Sequence, residues 1–169
     1  MFNYYNNFMK KKINKKGQKK IVMISGGFDP IHIGHVRYIK EAKKLGDSLV
    51  IVLNNDNWLR MKKGKEFMGE IERKEILEAI AGVDKVIISG HVKNTKDKSV
   101  CEEIKKINPH IFANGGDRKP DGDPVPEVAV CEELGIKMVY NVGHGGKVRS
   151  SSELVKNYSK HLKKYVKKG

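Results

Sequence analysis

Cysteine is scarce in this sequence of 169 residues, which contains only Cys101 and Cys131. The two lie far apart, and each falls within an apolar helical pattern. They are predicted to be reduced core residues, which excludes a disulfide-rich secreted scaffold. Cysteine usage of this kind is typical of a cytoplasmic protein, and a cytoplasmic location is therefore expected.

Long apolar runs are absent as well, and none approaches the length that a membrane span needs. The first seven residues are polar and repetitive, without the apolar core and small-residue cleavage site of a signal peptide. The sequence therefore predicts a protein without a membrane span.

Acidic residues are missing from both ends of the chain, where residues 1–20 hold seven lysines and residues 160–169 hold five. These ends carry most of the formal charge of +14, because basic and acidic residues nearly balance between them. Lysine-rich ends can bind nucleic acid through counterion release, but we interpret them as solvated and expect no nucleic-acid partner. The prediction is a disordered Lys/Asn-rich tail over 1–19, one domain over 20–159 and a Lys-rich tail over 160–169.

Five short apolar runs alternate with amphipathic runs that have helical spacing. The strands are predicted at Lys20–Ile24, Ser48–Leu53, Lys85–Ser89, His110–Ala113 and Lys137–Tyr140. Strands that alternate with helices indicate a parallel sheet covered on both faces. The predicted fold class is therefore α/β, with a Rossmann-like sheet of about five strands. Ligands of such sheets bind beyond the carboxyl ends of the strands.

A glycine-rich turn lies between the first predicted strand and the first predicted helix. Gly26 and Gly27 carry no Cβ, so backbone amides there can come close to a ligand. Gly34 leaves space between His32 and His35, which the start of a helix places on one side. Because a helix start favours phosphate, the two imidazoles are predicted to hold a polyphosphate and to stabilise its developing charge.

Residues 26–35, Gly-Gly-Phe-Asp-Pro-Ile-His-Ile-Gly-His, resemble the signature of the cytidylyltransferase-like nucleotidyltransferases of the His-x-Gly-His type. The resemblance implies that a phosphorylated acceptor attacks the α-phosphate of a nucleoside triphosphate and that pyrophosphate leaves. Among such enzymes the sequence looks most like heptose-1-phosphate adenylyltransferase domains, with glycerol-3-phosphate cytidylyltransferase close behind.

Later stretches match the same family in the same order. They are the basic loop at residues 60–65, the Glu-Arg pair ending at Arg73, Gly-Gly-Asp at 115–117 and the serine run at 150–152. Each also has a plain structural explanation: an exposed loop, a solvated helix charge, a tight turn and a helix cap. Trp58 is interpreted as packing, with stacking on a base as the alternative.

The resemblance assigns roles residue by residue. The catalytic set is His32, His35 and Lys63. The nucleotide-binding set is Gly26, Gly27, Phe28, Asp29, His32, His35, Gly115, Gly116, Asp117, Arg118, Arg149, Ser150, Ser151 and Ser152. The acceptor-binding set is Asp56, Lys62, Lys63, Lys65 and Arg73. Mg²⁺ is expected as the cofactor that offsets charge on the leaving pyrophosphate, and no side chain is assigned to a metal.

The predicted function is transfer of a nucleoside monophosphate from CTP or ATP to a sugar phosphate or a polyol or alcohol phosphate. The family resemblance also implies a homodimer. Two alternatives stay open: a pantetheine-phosphate type of cofactor adenylyltransferase, and a non-catalytic nucleotide- or nucleic-acid-binding module. A zinc site on His32 and His35 lacks further Cys or His ligands in the sequence. A class I aminoacyl-tRNA synthetase is rejected because its Lys-Met-Ser-Lys-Ser loop and anticodon-reading part are missing.

Overall fold

A computed structural model describes residues 19–115, 126–143 and 150–166, with side chains through residue 162. Five strands form one sheet in which every pairing is parallel. The strands are β1 (Ile21–Gly26), β2 (Ser48–Leu53), β3 (Lys85–Ile88), β4 (Ile111–Gly115) and β5 (Lys137–Val142). Their order is β3-β2-β1-β4-β5. The predicted five-stranded α/β fold is confirmed, and each strand lies within two residues of its predicted bounds.

Helices follow the strands along the chain. They are α1 (Ile33–Lys43), α2 (Asp56–Lys63), α3 (Glu70–Glu78), α4 (Cys101–Ile107), α5 (Pro126–Glu133) and α6 (Ser151–Val166). Helix α6 continues through residues 160–166, which the sequence assigns to the C-terminal tail. No helix among the described residues is long and apolar enough to cross a membrane.

The core consists of two apolar clusters, one on each face of the sheet. Successive strand residues point to opposite faces, so Ile51 of β2 joins one cluster and Val52 joins the other. The first cluster includes Ile39 of α1 and Leu77 of α3, whereas the second includes Ile104 of α4. Helices therefore cover both faces, as continuous apolar strands require.

The strand order changes direction at β1, because the chain runs outward from β1 to β2 and β3 and then returns to β4. Strand β1 pairs with β2 over its whole length, but with β4 only at Val22–Ile111 and Met23–Phe112. Beyond those pairs the two strands make no further ladder contacts towards their carboxyl ends. A parallel sheet binds ligands at such a point, and the turn after β1 lies there.

Candidate active site

The turn after β1 is shaped by packing. A Cβ on Gly27 would lie 2.9 Å from a methyl carbon of Leu59, and a Cβ on Gly26 would lie 3.1 Å from the ring of Phe28. Phe28 is buried in the core, and its ring meets the ring of His35 edge-on with 5.0 Å between centroids. Both glycines are thus needed for close packing, whatever their role towards a ligand. Phe28 is assigned to nucleotide binding from the sequence, but in the structure its buried ring packs against His35.

His32 and His35 cap the first turn of α1 in a reciprocal arrangement. The Nδ1 atom of His32 accepts from the backbone N–H of Gly34 at 3.1 Å, and Nδ1 of His35 accepts from the N–H of His32 at 3.3 Å. A Cβ on Gly34 would lie 2.9 Å from the His32 ring, so only glycine leaves room for this cap. The two rings stack with centroids 3.8 Å apart and planes 14° from parallel.

The cap also sets the tautomer of both rings. An Nδ1 atom that accepts a hydrogen bond carries its lone pair there, so the neutral imidazole bears its proton on Nε2. Burial, reinforced by the nearby charges of His32 and Lys63, lowers the pKa of His35 to about 3. His35 is therefore neutral at physiological pH and presents an Nε2–H donor. Its effect on a phosphate would be that of an oriented dipole.

Asp29 joins the turn to the loop between α2 and α3. Its carboxylate is buried and accepts from the backbone N–H groups of Phe67 and Met68, each at 2.8 Å. Its backbone oxygen accepts from Nζ of Lys63 at 2.7 Å. Asp29 is assigned to nucleotide binding, but in the structure its carboxylate holds the loop.

The basic stretch at 60–65 is not the loop that the sequence predicts, because residues 60–63 form the end of α2. Lys63, the last residue of that helix, is the member of the stretch that the structure brings to the histidine pair. Its ammonium lies near enough to His35 to lower the pKa of that ring. The pKa of Lys63 itself is lowered, mainly by burial, with the charge of Arg73 acting in the same direction and that of Asp29 opposing it. The sequence singles out Lys63 as the first choice for contacting phosphate, and that role stays a prediction.

The other members of the basic loop point elsewhere. Nζ of Lys62 lies 4.6 Å from the ring centroid of Trp58 in a cation–π contact. Trp58 is buried, and its indole N–H donates to the backbone oxygen of Lys98 at 3.0 Å, so packing accounts for it. Lys65 is exposed in the loop between α2 and α3.

The placement of Arg73 contradicts both interpretations taken from the sequence, a solvated helix charge and a contact to phosphate. Its side chain is 0% exposed, so it is not a solvated helix charge. Nor does its guanidinium face solvent, where a phosphate would reach it, because it donates to protein atoms inside the fold. One of these is Oδ1 of Asp56 at 2.7 Å. The assignment of Arg73 and Asp56 to the acceptor phosphate therefore does not match their placement, since each is the other's partner.

Two further assigned residues lie at the end of β4 and at the start of α6. A Cβ on Gly115 would lie 3.0 Å from the ring of Tyr38, whose hydroxyl donates to the backbone oxygen of Ala113 at 2.6 Å. The hydroxyl of Ser151 donates to the backbone oxygen of Pro30 at 2.9 Å. Ser150 precedes α6 and Ser152 is exposed in its first turn. Four assigned residues lie outside the described residues: Gly116, Asp117, Arg118 and Arg149.

Residues that the sequence interpretation missed fix the start of α2. The Asn55 side chain caps the helix by accepting from Trp58 N–H at 3.0 Å, and its amide nitrogen donates to His91 O at 2.7 Å. The hydroxyl of Ser89 accepts from Asn55 N–H at 3.0 Å and contacts Nδ1 of His91 at 2.7 Å. Asparagine before a helix is a known capping signal. No local signal marks Ser89 and His91, because Asn55, the residue that they hold, lies 34 and 36 residues earlier in the chain.

Comparison with known proteins agrees with this geometry. The sequence model of the family described as cytidylyltransferase-like matches residues 23–139. The chain belongs to the cytidylyltransferase-like family. The resemblance seen in the His-x-Gly-His stretch is thus confirmed over most of the chain, including the β1 turn, the basic loop and β4.

Two kinds of curated relatives of this family are similar in sequence. The chain is 42% identical over 106 residues to the bifunctional protein HldE of Pelobacter propionicus, covering 62% of this chain and 20% of that protein. It is 39% identical over 109 residues to the FAD synthase of Thermococcus onnurineus, covering 63% of this chain and 69% of that enzyme. The chain therefore spans about a fifth of the length of HldE but most of the FAD synthase.

A solved structure from the same comparison supports the fold. The lipopolysaccharide core biosynthesis protein of Thermoplasma volcanium superposes with a TM-score of 0.60 at 27% identity, covering 76% of this chain and 100% of that chain. Its full length thus corresponds to the domain described above.

Proposed function

We propose that this protein is a nucleotidyltransferase that moves a nucleoside monophosphate from ATP or CTP to a phosphorylated small molecule, releasing pyrophosphate. The observation that carries the proposal is the capped, stacked pair of His32 and His35 in the turn and helix start that follow β1. The acceptor phosphate is already a nucleophile, so the reaction needs positioning and charge stabilisation, and no general base.

The histidine pair is suited to that task because its donors are fixed before a ligand arrives. Both rings would offer Nε2–H groups to the triphosphate from one stacked position. Lys63 supplies positive charge beside the pair, since His35 is neutral. Ser151, at the start of α6, would place the helix N-terminus near the β- and γ-phosphates.

Mg²⁺ would enter this site with the triphosphate. The described residues contain no group of three or more His, Cys, Asp or Glu side chains arranged to hold a metal ion. The carboxylate of Asp29 already accepts two backbone hydrogen bonds. Phosphate oxygens are hard ligands that suit Mg²⁺, which is usually bound by substrate phosphates and water. When bound, the ion would offset charge on the leaving pyrophosphate.

We favour ATP as the donor. A FAD synthase, by its name, makes a product that contains an adenylyl group, and this chain covers most of such an enzyme. The acceptor is then a sugar phosphate, as in heptose-1-phosphate adenylyltransferases, or a flavin phosphate. A homodimer and the pantetheine-phosphate alternative stay predictions from family resemblance.

The test measures thermal melting with Mg²⁺ and each of ATP, CTP, GTP and UTP, and then pyrophosphate release. A ligand at one hundred times its Kd stabilises the folded state by about 2.7 kcal/mol, so the preferred base should show as the largest shift in Tm. Pyrophosphate release is then followed with heptose 1-phosphate, FMN, glycerol 3-phosphate and phosphopantetheine. We expect a shift with ATP and turnover with one acceptor.

No shift with any nucleotide would contradict the proposal and favour the binding module. A variant lacking residues 1–18 and 167–169 serves as the matched control, because it leaves every described element intact. An enzyme would keep its turnover in this variant. A nucleic-acid module would instead lose affinity and salt dependence with those lysines.

A further inference from the structure

Arg73 is the largest fully buried side chain among the described residues. Its guanidinium donates four hydrogen bonds of 2.7–2.9 Å. The acceptors are backbone oxygens of Gly27, Asn54 and Met68, and Oδ1 of Asp56. These atoms belong to the β1 turn, the end of β2, the loop between α2 and α3, and the start of α2. One side chain thus joins four segments that meet at the carboxyl edge of the sheet.

Asp29 also joins two of these segments, the β1 turn and the loop between α2 and α3. It accepts from the N–H groups of Phe67 and Met68 and from Nζ of Lys63. Met68 is shared, because its N–H donates to Asp29 while its oxygen accepts from Arg73. Asp29 therefore fixes the β1 turn to the end of α2 through its backbone oxygen and to the loop after α2 through its carboxylate.

Only arginine can make this set of contacts. Its planar guanidinium presents five N–H donors in fixed directions, whereas the lysine ammonium has three donors around one atom. In an Arg73→Lys variant, buried oxygens of the four segments would lose partners, and buried acceptors without partners are unfavourable. The segments would then move apart to find water.

We propose that Arg73 is a positioning residue for nucleotidyl transfer. Acting through Met68 and Asp29, it sets the place of Lys63 relative to His35. Arg73 touches neither the histidines nor solvent, so its effect on the reaction is indirect. This inference rests on the proposed function, because it concerns the geometry of that reaction's charged groups.

The decisive experiment compares Arg73→Lys with Leu77→Ala. Leu77 lies on the same helix α3 and is 0% exposed, but it packs in the apolar core and takes no part in the hydrogen bonds of Met68. Both variants should lower Tm. In Arg73→Lys we expect kcat to fall about 10- to 100-fold, because small displacements of reacting groups have effects of that size. The KM for nucleotide should change less than about threefold, and Leu77→Ala should keep kcat within about twofold.

Trp58, the single tryptophan of the chain, gives a readout that does not depend on activity. It is 7% exposed in α2, whose first residue Asp56 is held by Arg73. In Arg73→Lys we expect its fluorescence to become more accessible to acrylamide, and in Leu77→Ala we expect no change. Failure of the wild type to turn over any acceptor would overturn the proposed function, while this readout would still test whether Arg73 holds α2.

Two outcomes would overturn the inference. One is an Arg73→Lys variant that keeps kcat within about twofold of the wild type or loses it in parallel with Leu77→Ala. The other is unchanged quenching of Trp58. If Arg73→Lys does not fold, Asp29→Asn tests the same set of contacts. The asparagine amide would turn one of its N–H groups toward the backbone N–H of Phe67 or Met68 and so lose that hydrogen bond. The same fall in kcat is expected there, and an unchanged kcat would again reject the inference.

Discussion

The two sides of the candidate site are built differently. On the β1 side, the histidine cap, the Asp29 carboxylate and the Arg73 guanidinium bond to other protein groups before any ligand is present. On the β4 side, the start of α6 reaches the β1 turn through the hydroxyl of Ser151. Preorganised donors need no rearrangement during reaction. If the proposed function holds, we expect the β1 side to govern chemistry and the start of α6 to govern how firmly the triphosphate is held.

The largest effect should come from breaking the histidine cap. We expect His35→Ala to lower kcat by at least about 100-fold, which is the scale for removing one oriented donor at a developing charge. The cost in folding should be only about 1 kcal/mol, as for the loss of a helix cap. Steady-state turnover and urea unfolding measure the two effects. His35→Gln should recover part of kcat if a neutral N–H is what the site needs, and near-normal turnover of His35→Ala would contradict the assignment.

The pH dependence of stability tests the burial of the same ring. The pKa of His35 is about 3 in the folded state, against an ordinary value of 6.5. Between those values the unfolded state binds the extra proton, so the free energy of unfolding should fall as pH drops below 6.5. From pH 7.5 to 5 the loss from this group is at most about 2 kcal/mol. Urea unfolding of the wild type and of His35→Gln at both pH values isolates this contribution. Equal pH dependence of the two would show that folding does not lower the pKa of His35.

A smaller effect is expected on the β4 side. Ser151→Ala removes one neutral hydrogen bond to Pro30, a contact worth about 1 kcal/mol. The Kd for the triphosphate should rise by about fivefold while kcat stays nearly unchanged. Ser159→Ala is the matched control, since its hydroxyl donates to Lys156 O within the same helix, away from the turn. A fall in kcat as large as that of His35→Ala would erase the distinction between the two sides.

The smallest effect should come from Lys62, in contrast to its neighbour Lys63. Lys62→Met removes a cation–π contact with Trp58, worth about 0.5–1 kcal/mol of stability at an exposed site, and turnover should change less than about threefold. Lys63→Met should lower turnover by about tenfold or more, because it removes the charge beside His35. Tm and pyrophosphate release measure both. Equal losses of turnover would show that the loop acts as a diffuse cluster of charge.

The alternation of apolar and amphipathic runs was enough to predict the five strands, their parallel arrangement and the edge at which the histidines lie. The cap of α1 is also a local feature, since His32, Gly34 and His35 interact within one turn of helix. The interpretation of Arg73 as a solvated charge was wrong, because its partners are distant in sequence. Arg73 lies in a Glu/Lys-rich helix that favours a surface charge, yet it bonds to Gly27, 46 residues earlier in the chain.

The sequence by itself determined the fold class, the order of the elements and the local geometry of the histidine pair, because these follow from periodicity and short-range spacing. Only the tertiary structure decided which charged side chains are buried within the fold and which stand beside the site. Asp29, Lys63 and Arg73 lie in three separate stretches of the sequence, but crossover connections bring their segments together at one edge of the sheet. A hydrogen bond between distant segments depends on the tertiary fold that brings them together, and a local sequence pattern does not contain that information.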